Sequence, residues 1–98
     1  MGNEYYDGLY DMVEEEAKKT FSEKSAKYNY SFFDNDFLTI WFDVRRKYDR
    51  LDVLIRNNYC KGTLPDQIKK AVLEESEDLV NYAIMLRVFL LAKGSESD

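Results

Sequence analysis

Glu75 and Asp78 stand three residues apart in the stretch Leu73-Glu74-Glu75-Ser76-Glu77-Asp78-Leu79-Val80-Asn81-Tyr82. On a helix, positions i and i+3 share a face, so one cation can meet both carboxylates. The neighbouring residues are apolar at helical spacing, and Glu75 falls on the apolar stripe itself. Carboxylates held there cost on the order of several kcal/mol unless something positive meets them. Two chemistries meet that need. Asp78, with Glu74 or Glu75, could hold Mg²⁺, which would bridge nucleotide phosphates and polarise a phosphoryl oxygen. Alternatively, Lys47 or Arg50 from another helix pairs with Glu75 and Asp78, and Glu74 and Glu77 face water. Asn81 and Met85 continue the flank that Glu74 and Asp78 begin.

Lys24, Lys47 and Arg50 lie at the edges of apolar stripes, close to an aromatic segment. Such a trio could hold a phosphate, and arginine suits bidentate contact with it. Tyr28, Tyr30, Phe32 and Phe33 could stack a base or plug the end of a small bundle. Asp7, Asp11 and Glu14 could supply opposing carboxylates. They read more readily as a solvated face with Glu14 and Lys18 paired at i, i+4.

Composition narrows the chemistry. The chain of 98 residues has no histidine and a single cysteine, Cys60. Ser-His-Asp and Cys-His catalysis and the usual zinc sites are thereby excluded, as is an intrachain disulfide. Hydrolysis, if present, must run on carboxylates and an oxygen-preferring metal. A net charge of −5 argues against a broad duplex DNA surface. The acidic start lacks the basic region of a signal peptide, and Asn81 and Arg87 interrupt the apolar run Val80–Ala92, so no membrane span is expected. A cytoplasmic location fits these features.

Three helices must position these residues in one domain, 1–93, with 94–98 as a frayed tail. Helix one is expected over Glu4–Lys27, with Tyr6, Tyr10, Val13, Ala17, Phe21 and Lys24 as its stripe. Tyr28–Asn35 reads as a loop, with Asp34 or Asp36 capping the next helix. Helix two is expected over Asp36–Asn57, on the stripe Phe37, Trp41, Val44, Tyr48, Leu51 and Ile55, with Trp41 in the core. Asn57–Gly62 is a turn. Helix three opens near Thr63 or Leu64 with Pro65 in its first turn and runs to Lys93, with Gly94 ending it. It carries two apolar stripes: Ile68, Val72, Glu75, Leu79, Ala83, Leu86 and Leu90, and on the other side Val80, Ile84, Val88 and Leu91. A helix apolar all round is buried all round. The expected architecture is therefore all-α, an antiparallel three-helix subunit assembling as a homo-oligomeric helical bundle, a dimer or higher.

Several of these residues fall into a familiar pattern. Lys24 before Tyr28-Asn29-Tyr30-Ser31, then Lys47-Tyr48-Asp49-Arg50-Leu51, then Asp78-Leu79-Val80-Asn81-Tyr82 resembles the type 1 nucleotide modification associated domain, small helical proteins common in phages. Asn29 stands where that family has a turn glycine, and Arg46 where it has a helix-two acid. The Glu75–Asp78 spacing also resembles part of the all-α (MazG-like) NTP pyrophosphohydrolases, which hold Mg²⁺ between two acidic pairs. Asp11-Met12-Val13-Glu14 is a poor substitute for the first such pair.

The resemblance implies a nucleotide site made of Lys24, Tyr28, Ser31, Lys47, Arg50, Asn81 and Tyr82. Lys24, Lys47 and Arg50 would take phosphates. Asn81 would bond base or sugar between Tyr28 and Tyr82. Glu74, Glu75 and Asp78 would hold Mg²⁺ or orient cations. The expected function is nucleotide handling of a viral or phage type: a Mg²⁺-dependent pyrophosphohydrolase or an accessory to nucleotide modification. The alternatives are a non-catalytic binder that sequesters a nucleotide or cyclic nucleotide signal of host defence, and a helical adaptor for another protein.

Overall fold

The computed structural model describes residues 2–28, 30–34 and 36–94, and all their side chains but those of 2, 32, 33, 93 and 94. Within these the chain is all-α: α1 spans Gly2–Lys27, α2 Phe37–Asn58 and α3 Asp66–Gly94. A single 3₁₀ turn, Ser31–Asp34, lies in the stretch expected as plain loop. No described helix is long and apolar enough to cross a membrane. Residues 95–98, expected to fray, lie outside the described residues.

Consecutive helices run antiparallel. Ile40 near the start of α2 packs with Phe89 near the end of α3, and Arg50 further along α2 reaches back to Glu75. α1 lies parallel to α3, with Thr20 bonded to Glu77 and Lys24 to Asp78. α3 is therefore the shared element.

The links follow local chemistry. Tyr30 N–H reaches back five residues to the Ser25 carbonyl at 2.8 Å, the wide wrap that closes a helix end. Tyr30 takes a left-handed φ of 56°; Asn29, in the place of the turn glycine, lies outside the described residues. Asp36 is the N-cap of α2, but its side chain makes no capping bond; its carbonyl accepts from Thr39 N–H instead. Between α2 and α3, Cys60 and Thr63 exchange both backbone hydrogen bonds at 3.0 Å. Lys61 and Gly62 stand between them with φ of 50° and 81°, the signature of a type I′ turn. α3 then starts at Asp66, with the Pro65 carbonyl accepting from Lys69 N–H rather than Thr63 or Leu64 capping.

The packing departs from two expected stripes. α2 turns Ile40, Val44, Lys47, Leu51, Leu54 and Asn58 inward, in alternating steps of four and three. The expected line shares only Val44 and Leu51 with it. Phe37, Tyr48 and Ile55 are exposed, and Trp41, expected in the core, is 45% exposed. The inward line was hidden because it runs through a lysine. On α1, Ala17 and Phe21 are half-buried, whereas Tyr6, Tyr10 and Val13 of the same stripe are exposed. On α3, Ile84 and Val88 are half-buried, and Val80 and Leu91 are exposed. The unburied apolar surface thus lies more on α1 and α2 than on the second stripe of α3.

Ile40 and Phe89 are the buried apolar side chains among the described residues, with Phe21, Met85, Leu86 and Val88 packed around them. The radius of gyration is 16.1 Å, against about 13 Å for a compact chain of about 100 residues. Removing either core residue should therefore be costly. Phe89→Ala should lower unfolding stability by about 3–5 kcal/mol. Trp41→Ala should cost less than half as much. Urea denaturation monitored by far-UV circular dichroism measures both.

Candidate functional site

Three helices meet at a row of alternating charges. Lys47 projects inward from α2 and is only 8% exposed. Its Nζ lies 3.0 Å from Glu75 Oε2 and 3.0 Å from Asp78 Oδ2, both on α3. The second oxygen of Asp78 meets Lys24 Nζ of α1 at 3.3 Å. The second oxygen of Glu75 meets the Arg50 guanidinium of α2 at 3.6 Å. The order Lys24, Asp78, Lys47, Glu75, Arg50 alternates without a break and leaves one net positive charge. Of the two chemistries open to Glu75 and Asp78, the cations of neighbouring helices are the one the structure supplies.

The protonation states are coupled to that geometry. Burial works to lower the Lys47 pKa, but hydrogen bonds to Asp78 and Glu75 outweigh it and hold the ammonium above its ordinary value of 10.5. Burial likewise works to raise the Asp78 pKa. The hydrogen bond from Lys47 and the charge of Lys24 overcome it and hold the carboxyl below its ordinary value of 3.8.

One helical turn beyond Asp78 a cleft opens between the end of α1, the 3₁₀ turn and α3. It measures about 280 Å³ and is lined by Lys24, Ser25, Tyr28, Ser31, Asn81, Tyr82 and Met85. Five of the seven expected nucleotide residues converge here: Lys24, Tyr28, Ser31, Asn81 and Tyr82. Lys47 and Arg50 do not; Lys47 is consumed beneath Glu75 and Asp78, and Arg50 lies on the outer side of α2, in another groove.

Asn81 is the unusual member of the cleft. It is 3% exposed. Its Nδ2 donates only to the Met85 sulfur, at 3.6 Å. Its Oδ1 is buried with no hydrogen-bond partner. A buried acceptor left unsatisfied costs about 1–3 kcal/mol. Tyr28 on the rim is exposed and lies 5.5 Å from Lys27 Nζ in a cation–π contact. The side chains of Phe32 and Phe33, expected as platform or plug, lie outside the described residues.

Ser25 escaped the sequence reading. It is buried on the cleft wall, although its position four residues after Phe21 marks it. A stripe traced only through apolar residues passes over a serine. Thr20 was missed for the same reason: its hydroxyl donates to Glu77 Oε1 at 2.9 Å, so Glu77 does not simply face water.

Of the three expected metal ligands, Glu75 and Asp78 converge on the Lys47 ammonium and Glu74 stands apart. Glu74 is exposed and lines a groove with Met12 and Val13, apart from Glu75 and Asp78. Among the described residues no three acidic or thiol side chains gather as a chelate. Glu75 and Asp78 are instead engaged by Lys47, Lys24 and Arg50. Asp7, Asp11 and Glu14 stand on the exposed half of α1, and among the described residues none forms an ion pair, Glu14 with Lys18 included.

No family model matches the chain, and neither the curated proteins nor the solved structures hold a significant match to it.

The charge row makes a stability profile. Asp78 is depressed, so its contribution is present above its ordinary pKa and is lost as pH falls through the lowered value. Lys47 is raised, so its contribution is present below 10.5 and is lost as pH rises through the raised value. Lys47→Met should cost about 1–3 kcal/mol near neutral pH, less than a fully buried pair because Asp78 and Glu75 are partly exposed. Thermal melts against pH should show that deficit shrinking below about pH 4, where wild type loses the same pairing.

Proposed function

We propose that the protein binds a nucleotide in the cleft between α1 and α3 and holds it without cleaving it. One observation carries this reading. Residues far apart in sequence, singled out by a nucleotide-handling resemblance, line one small cleft, and the buried one among them keeps an unused acceptor. Asn81 Oδ1 would accept from an N–H or O–H of the base or sugar. Tyr28 and Tyr82 would wall the base, whose flat face suits aromatic rings. Lys24 would take a phosphate. Its bond to Asp78 is exposed and long enough to yield to a stronger anion, and Ser31 adds a hydroxyl.

The lysines and arginine on Glu75 and Asp78 favour binding over turnover, since the carboxylates a metal would need are already neutralised. In the phage setting that the motifs resemble, a binder of this kind would sequester a nucleotide signal. The meagre core and exposed apolar helix faces also support a homo-oligomer as the working form.

Titration calorimetry in EDTA with nucleoside mono- and triphosphates and cyclic nucleotides tests the reading. Binding should survive metal removal, and no pyrophosphate should appear when Mg²⁺ is restored. Asn81→Leu should weaken binding by about tenfold or more while leaving the melting temperature equal or higher, because it deletes an unsatisfied buried acceptor. Lys24→Ala should weaken it by about tenfold. Failure of every nucleotide to bind overturns the proposal. Mg²⁺-dependent release of pyrophosphate would replace it with the hydrolase.

A further inference from the structure

The first half of α1 and the outer side of α2 are complementary surfaces that one molecule cannot bring together. On α1, Tyr5, Leu9 and Met12 form one i, i+4, i+7 line, and Tyr6, Tyr10 and Val13 form the adjacent one. Together they make a broad apolar stripe. The three tyrosines are each about two-thirds exposed. Glu4, Asp7, Asp11, Glu14 and Glu15 fall on the remaining surface of the helix.

The charge is strongly one-sided. Six acids (Glu4, Asp7, Asp11, Glu14, Glu15, Glu16) precede Lys18, the first basic residue. Removing those six from nineteen leaves thirteen acids against fourteen basic residues in the rest of the chain. Two such α1 halves side by side would set six carboxylates against six. The groove between α1 and α3 is acidic as well, since Glu16, Glu74 and Glu77 line it beside a single cation, Lys70.

The groove along α2, reaching to Glu75 of α3, is net basic. It measures about 680 Å³, with Phe42, Val53 and Leu54 as apolar lining and three cations, Arg45, Arg46 and Arg50, against two carboxylates, Asp49 and Glu75. Arg45 pairs with Asp49 at 3.9 Å and Arg46 with Asp43 at 3.2 Å, both on α2 itself. These are exposed pairs worth little, and they exchange readily for a closer anion. α1 is one unbroken helix docked on α3 through its second half, so its first half cannot fold back onto its own α2.

We propose that a second copy of the chain supplies the occupant: the acidic, tyrosine-faced half of α1 of one protomer lies in the arginine-edged groove on α2 of the other, and the reverse contact closes a two-fold dimer. This rests on the homo-oligomeric reading above and is independent of nucleotide binding. Two-fold symmetry repeats the contact. A stable interface of about 1,600 Å² then needs about 400 Å² from each of four surfaces. Three largely exposed tyrosines, at about 150–250 Å² per buried ring, supply most of the α1 share.

A charge-swap experiment on the full chain tests it by sedimentation equilibrium. One variant carries Arg45→Glu with Arg46→Glu, the other Asp7→Lys with Glu14→Lys. All four positions are exposed, so both variants should keep the wild-type helical spectrum. Each alone should dimerise about a hundredfold more weakly than wild type, because like charges then face each other. Mixed one to one, they should form a heterodimer, since every contact is again between opposite charges. Wild-type dimerisation should weaken with added salt. A wild-type chain that stays monomeric at millimolar concentration overturns both the oligomer and this contact. A dimer that persists unchanged in both variants overturns the contact alone.

Discussion

A single ammonium group decides how the three helices sit. Lys47 leaves α2, passes between Glu75 and Asp78 of α3, and through Asp78 is joined to Lys24 of α1. In a protein with a large apolar core, replacing such a cluster by hydrophobic residues is often neutral or stabilising. This chain has only Ile40 and Phe89 buried among its described apolar side chains, and apolar contact of that extent is tolerant of sliding. A lysine placed at 3.0 Å from two different carboxylates is not. A shift of α2 by one turn, about 5.4 Å, would carry Lys47 away from both acids and leave Asp78 with Lys24 alone. The cluster contributes register more than net stability.

The same cluster prepares the cleft. Asp78 offers one oxygen to each of two lysines, so it neutralises neither completely. Lys24, half exposed at the end of the row, keeps a share of positive charge at the cleft mouth. Asn81 follows Asp78 by three residues and so projects from the same side of α3. Ser25 follows Lys24 on α1 and forms part of the wall. The cation and the buried amide are thereby placed next to each other by two helices whose relative position the Lys24–Asp78 contact already sets. An anionic ligand with a hydrogen-bond donor would meet Lys24 at the cleft mouth, and would reach the buried Asn81 oxygen only as the cleft lining shifts.

Much of this was legible in the sequence, and the failures share a cause. The acids within the apolar run of α3 announced a buried charge cluster, and the helix count followed from hydrophobic period. The cleft residues Lys24, Tyr28, Ser31, Asn81 and Tyr82 came from motif resemblance, not from periodicity. What periodicity got wrong was the rotation of α2. Phe37, Trp41, Tyr48 and Ile55 make an unbroken apolar line with Val44 and Leu51, but burial is decided by what faces the line. Lys47 has two carboxylates waiting on α3, and their attraction rotates α2 so that Trp41 lies partly in water. The pairing of Lys47 with an acid 28 residues on was legible from α3, but the apolar period of α2 does not show that it sets the helix's rotation. Ser25 and Thr20 were hidden similarly: each is a polar residue whose burial depends on a neighbour in another element.

The rotation of α2 has a second consequence. With Lys47 turned in, the strongest apolar line of the helix is turned partly outward, and Arg45 and Arg46 go with it. The first half of α1 meanwhile rises past the region where α3 holds it, showing tyrosines and carboxylates to solvent. In a small chain, aromatic side chains left in water leave part of the available hydrophobic stabilisation unused. Both surfaces become consistent once the tyrosines and the α2 groove are regarded as halves of one contact. The electrostatic cluster that fixes the register inside the protomer would then also determine, by turning α2, which face is left for another protomer to cover.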